Sequence, residues 1–200
     1  MLWQIASFPR CEHHVFLSHC AGDRGWLVHA VHEELKRREI IPWLDRDHYY
    51  YGRDSRTALR DGLLRSRHTV FFITLEMMNY SRGWCPMELA YSDLLQANLT
   101  LPGGPLLNLE LPLFFLAQDH GGLPYTVWNT LRDRGEFHLP RDGNEIEWAV
   151  NRIVAFLHRE QKLALEMSRM FLESEDMRLE ISRRPGLFKR VTSFDPSPIP

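Results

Sequence analysis

Trp84 and Glu88 stand four residues apart in a stretch of helical periodicity, so an indole and a carboxylate share one helix face. Beside a cleft, such a pair offers charge stabilisation from the acid and a flat wall or stacking surface from the ring. Read singly, Glu88 is more often a solvated or capping carboxylate, and Trp84 more often a core residue. A second group gathers behind the first apolar run: Ser18-His19-Cys20-Ala21-Gly22-Asp23. Ser18 and His19 can bind a ligand or simply hydrogen-bond within their loop. Asp45 closes the second apolar run, either as a ligand contact or as a loop cap. Cys85 would need a fixed His or Asn partner to act as a nucleophile, and none is evident, so it reads as a buried apolar cysteine. His29 and His32 beside Glu33 and Glu34, and Cys11 beside His13 and His14, fall short of the three or four converging ligands of a metal site. No metal is expected. Dinucleotide-fingerprint, P-loop and nucleophile-elbow motifs are absent.

These side chains need a scaffold, and 200 residues supply one domain with appendages. Lys and Arg number 24 against 26 acidic residues, a net charge of −2. Such a chain has no global field to draw it to nucleic acid or to anionic membranes. Hydrophobic residues at 44% and charged residues at 25% exclude disorder of the whole chain. No apolar run approaches the ~20 residues of a membrane span. Met1–Phe8 is apolar but short and lacks a basic start, so no signal peptide is read. Three cysteines, odd in number, point to a reducing cytoplasm.

Apolar runs alternate with helical periods. Strands are predicted at 13–18, at 40–45, at 69–75 and at 111–117, with a weak fifth at 136–139. Helices are predicted at 24–39, from Ser55, at 84–97, at 124–133 and from Asn144. Pro42 marks the second strand as an edge, because proline donates nothing to a ladder. The runs at 69–75 and 111–117 are continuously apolar, as strands buried on both faces must be. The alternation predicts an α/β fold: a five-stranded parallel sheet in the flavodoxin-like order 2-1-3-4-5, helices on both faces. A polar loop, 46–54, carries a Tyr49-Tyr50-Tyr51-Gly52 turn. The chain divides into an N-terminal extension (1–12), the α/β domain (13–158), a C-terminal helix (159–183) and a proline-rich tail (184–200). The stripe Leu163, Met167, Met170 and Phe171 on that helix packs on its own domain or faces a partner.

In open parallel sheets, ligands bind beyond the carboxyl ends of the strands where the order reverses, here between the first and third. The loop 18–23 and the segment leading to Trp84 and Glu88 border that crevice. Three strings stand there in order: Phe16-Leu17-Ser18-His19 with Asp23; Trp43-Leu44-Asp45 through Tyr51-Gly52; and Asn79-Tyr80-Ser81-Arg82-Gly83-Trp84-Cys85-Pro86-Met87-Glu88-Leu89. Together they resemble the Toll/interleukin-1 receptor (TIR) domain family over about residues 13–158, the third string being the specific one. The family comprises signalling scaffolds and enzymes that cleave NAD. In the enzymes the glutamate of the third crossover helix is catalytic, and Glu88 matches it. Trp84 matches a tryptophan shared with some of them. Tyr51 stands where the family usually has proline, and His19-Cys20 stand where some enzymes carry arginine, so phosphate contacts do not carry over at that point.

The resemblance implies NAD as substrate, with no separate cofactor. Nicotinamide leaves as a neutral group, so no general acid is needed, and the ribose becomes oxocarbenium-like. Glu88 would stabilise that charge, Trp84 would wall the nicotinamide, and Phe16, Ser18, His19 and Asp45 would line the substrate. Backbone amides of the loop 19–23 can face a phosphate. By further resemblance to stand-alone bacterial anti-phage (Thoeris-like) TIR proteins, the product is expected to be an ADP-ribose-derived, cyclic signal read by a separate downstream effector. Self-association with other TIR domains is implied as well. The alternative is a non-enzymatic TIR–TIR signalling scaffold, to which the tyrosine run lends itself. A nucleoside deoxyribosyltransferase-like enzyme is a more distant third.

Overall fold

The computed structural model describes residues 11–48, 54–79, 84–99, 109–115, 131, 136–137 and 143–173. The Tyr49–Gly52 turn, residues 80–83 of the third string, the helix expected at 124–133 (Leu131 apart) and the tail lie outside the described residues.

Strand β1 (His13–Ser18) runs into a single 3-10 turn at Ala21–Asp23 and a π-helical turn at Arg24–Val28. Helix α1 (His29–Arg37) continues from there. Strand β2 (Pro42–Trp43) is followed by the short α2 (Asp45–His48) and by α3 (Ser55–Arg65). Strand β3 (Ser66–Ile73) leads to α4 (Leu75–Asn79) and α5 (Trp84–Leu99). Then come β4 (Glu110–Phe114), β5 (Glu136–Phe137) and α6 (Glu145–Glu173). The strands pair in parallel in the order β2-β1-β3-β4-β5. The outer strands are short: β2 and β5 each pair over two residues.

Several boundaries differ from the periodicity, and three of them have a clear local reason. The second strand is two residues rather than six, and Asp45 opens a helical turn instead of ending a strand: its carboxylate accepts from Arg46 N at 2.7 Å, and Asp47 N reaches Leu44 O at 3.1 Å. β3 starts at Ser66, polar in sequence yet fully buried, because Ser66 Oγ closes α3 on Gly62 O at 2.7 Å and the strand registers His13 opposite Ser66. It ends at Ile73 because Thr74 Oγ1 accepts from Met77 N at 3.2 Å, an N-cap that turns Leu75 into helix. α6 is one continuous helix through residue 158, carrying the apolar face Val150, Ile153 and Leu157. Side chains of α6 from residue 161 on, the Leu163–Phe171 stripe among them, lie outside the described residues.

Strand alternation divides the core into two faces. Val15, Leu17, Val70, Phe72, Leu111 and Leu113 pack against Val31 and Leu35 of α1 and Val150, Ile153 and Leu157 of α6. On the opposite face Phe71, Ile73 and Phe114 meet Met77 and Met78 of α4 and Cys85 and Leu89 of α5. β1 therefore turns Phe16 and Ser18 away from the first core, and α5 covers this second side of the sheet. The last position of that column is a serine, and the acid of α5 comes to lie over it. Among the described residues no helix is long and apolar enough to cross a membrane.

Candidate active site

Ser18 ends β1 fully buried and donates its hydroxyl to Glu88 Oε2 at 2.5 Å. Glu88 is itself only 8% exposed, although it lies in the second turn of a surface helix. Cys85 Sγ, one turn earlier, lies 3.3 Å from His19 O and ties the start of α5 to the end of β1. Burial pushes the Glu88 carboxyl up to about 7; the Ser18 hydrogen bond opposes this and the negative charge of Asp45 adds to it. Burial also raises the Cys85 thiol, which Glu88 reinforces, so this cysteine is an inert structural contact. Trp84, the first residue of α5, is 41% exposed.

His19 is nearly enclosed. Its Nδ1 lies 3.1 Å from Leu17 O and its Nε2 accepts from Arg24 Nε at 3.2 Å, an arrangement that needs the neutral Nδ1–H tautomer. Burial accordingly lowers its pKa against the raising influence of Asp45. Arg24 Nη2 is ion-paired with Asp45 Oδ2, and Asp45 Oδ1 lies 3.8 Å from His19 Nε2. Asp23 is buried and accepts from Thr74 Oγ1 at 2.6 Å; burial raises its pKa. Thr74 thus caps α4 and holds the turn after β1 with one hydroxyl.

Of the residues singled out in the sequence, Ser18 and Glu88 touch directly, and Asp45 and His19 join them through Arg24 and the chain itself. Phe16 is 1% exposed and stacks on Trp43, ring centroids 4.4 Å apart, and His48 also stacks on that indole, centroids 5.4 Å apart. In the loop 19–23 the Glu76 carboxylate lies close to Gly22, where an added Cβ would meet it. Arg24 escaped the sequence reading; the signal for it was a lone cation one position beyond the loop 18–23. Among the described residues no three His, Cys, Asp or Glu side chains are placed to hold a metal. The arrangement provides one sequestered carboxylate, ionised above about pH 7, with a flanking indole and a half-exposed guanidinium.

Residues 15–102, from β1 through α5, match the family described as TIR domain. That segment is similar to a TIR domain. Among solved structures it is similar to a metazoan TIR-STING receptor from C. gigas, determined in complex with 2',3'-cGAMP: 13% identity, TM-score 0.50, covering 72% of this chain and 40% of that one. It therefore covers about two fifths of the length of that chain. Also similar are the TIR domain of the Toll-related receptor TRR-2 from Hydra magnipapillata (14% identity, TM-score 0.48, 70% and 93% coverage) and the TIR domains of the Roq1 resistosome (18%, 0.45, 90% and 84%). No curated protein matches the chain. The parallel α/β sheet is the flavodoxin-like TIR fold, and the matched segment contains both Ser18 and Glu88.

Proposed function

We propose that this TIR domain cleaves the nicotinamide–ribose bond of NAD and releases an ADP-ribose-derived, cyclic signal that a separate effector reads in antiviral defence. The observation that carries the reading is the Glu88 carboxylate, buried at the crevice where the strand order reverses and held by Ser18 from the end of β1. In this scheme the C–N bond breaks with its electron pair going to the nicotinamide ring, which leaves neutral. Positive charge develops on the ribose, and the ionised Glu88 stabilises it. A nucleophile then attacks the same carbon: water gives linear ADP-ribose, and a hydroxyl or ring nitrogen of the same molecule gives the cyclic form. Trp84, exposed at the first turn of α5, supplies a surface for the departing ring.

The test is incubation of purified protein with NAD at several protein concentrations, beside Glu88→Gln, with products resolved by chromatography and mass spectrometry. Nicotinamide release that disappears in the variant is the expected result. The co-product's mass separates cyclisation from hydrolysis, the cyclic product being lighter by one water. Release that persists in Glu88→Gln would refute the assignment.

A second reading, a TIR–TIR scaffold, draws on the exposed Trp26, Leu75 and Trp84, which all follow the carboxyl ends of β1 and β3. Absence of nicotinamide release at every concentration, together with concentration-dependent self-association, would favour it.

A further inference from the structure

We propose that Arg24 is an anion anchor for the diphosphate of the substrate, held beforehand by Asp45 and exchanged to the ligand on binding. The identity of the ligand rests on the NAD reading above. The cation's placement does not.

Arg24 opens the π-helical turn after β1, a local widening of the helix of a kind often retained at working sites. Its Nε donates to His19 and its Nη2 pairs with Asp45; among the described residues Nη1 has no partner. The side chain is 39% exposed, against 4% for His19 and 18% for Asp45. The fork is therefore fixed from behind by a buried neutral imidazole and open in front. His19 accepts from it without competing for an anion, because its own pKa is lowered and it stays uncharged. The turn at 21–23 has two acids beside it, the Glu76 carboxylate close to the Gly22 Cα and the buried Asp23, and their charge disfavours an anion there.

The polarity of the crevice follows. Glu88 favours a positive group near the end of β1, and Arg24, reached through the adjoining His19, favours a negative one. NAD carries both, a cationic nicotinamide and an anionic diphosphate. A diphosphate can take the guanidinium fork bidentately, whereas Asp45 holds it at Nη2. Asp45 keeps its bond to Arg46 N when it lets go, so the exchange leaves no acid without a donor.

The experiment measures binding by calorimetry on the full chain, with inorganic pyrophosphate, ADP-ribose and adenosine as probes, for wild type, Arg24→Ala, Arg24→Lys and Asp45→Asn. Arg24→Ala is expected to weaken ADP-ribose and pyrophosphate about tenfold or more, the loss of a charge-assisted pair, and to leave adenosine unchanged. Arg24→Lys keeps the charge, loses the fork and should fall between; it also serves if the alanine variant does not fold. Asp45→Asn should bind pyrophosphate at least as tightly as wild type. Unchanged ADP-ribose binding in Arg24→Ala and Arg24→Lys overturns the proposal, as does a wild type that binds neither ADP-ribose nor pyrophosphate. Glu88-dependent nicotinamide release with an unchanged KM in Arg24→Ala overturns the anchor and leaves the NAD reading standing. Arg24-dependent pyrophosphate binding without any nicotinamide release supports the anchor and removes the NAD reading.

Discussion

Replacing Glu88 by Gln removes a titrating group that burial holds at about 7 rather than at the ordinary 4.5. The raised value means that the folded protein favours the neutral acid. Its contribution to stability is complete below the unfolded value of 4.5 and is lost as pH rises through about 7. At 1.36 kcal/mol per pH unit, the wild type loses about 3 kcal/mol across that window, most of it between about pH 5 and pH 8. Gln is close in shape, accepts the same Ser18 hydroxyl and does not titrate, so the difference between the two proteins isolates Glu88. Urea unfolding at about pH 5 should give nearly equal stabilities, and at about pH 8 the variant should be the more stable by up to about 3 kcal/mol. In thermal melts this corresponds to roughly 6–12 °C for a chain of this size. Parallel pH profiles for the two proteins would refute the reasoning, because they would mean that the carboxylate is solvated and that Ser18 does not hold it in a dry site. A variant that gains stability at high pH and loses nicotinamide release at the same time would show a site kept at a cost to the fold.

Other outcomes follow from the same geometry. Ser18→Ala removes the bond that lowers Glu88, so the acidic limb of nicotinamide release should move up by roughly half to one pH unit, with Ser18→Thr restoring it; an unmoved limb would contradict the contact. Trp84→Ala should leave urea stability within about 0.5 kcal/mol, since the side chain is exposed, and should raise KM for NAD roughly five- to tenfold if the indole stacks on substrate. Gly62→Ala places a methyl against the Trp43 indole, whose Cζ2 would lie 2.7 Å from it, while that ring is also held by stacking on Phe16 and on His48. A loss of about 1–3 kcal/mol is expected, partly recovered by Trp43→Phe, and unchanged denaturation would show the stack to be loose. Asp54→Ala removes the cap of α3, where the carboxylate accepts from Thr57 N at 2.9 Å, and should cost about 1 kcal/mol in the same assay.

Much of the scaffold was legible from local pattern. The continuous apolar runs at 69–75 and 111–117 announced strands buried on both faces, Pro42 announced an edge, and the order β2-β1-β3-β4 follows from alternation with helices. The i, i+4 relation of Trp84 and Glu88 is fixed by helix geometry wherever α5 begins. The short α2 and α4 were not legible, because helices of four and five residues carry no period and are set by single hydrogen bonds such as Thr74 to Met77. Phe16 shows the same dependence on contacts. Its place in the string FLSH puts it in β1, and only the packing shows that it stacks on Trp43 while Ser18, two positions on, ends the column beneath Glu88.

Sequence alone thus determined the residue types and their order along the chain: a parallel sheet, a crevice at the reversal of strand order, and a carboxylate on the helix beside it. Tertiary structure decided which of them meet. Ser18 and Glu88 are 70 residues apart, and Arg24 and Asp45 are 21 apart, so no periodicity connects them. Their contacts depend on the register of β1 against β3 and on how far α4 and α5 pack down over Phe71 and Ile73. The burial that lifts Glu88 to about 7 is a property of that packing, since a carboxylate has an ordinary pKa until its surroundings take the water away.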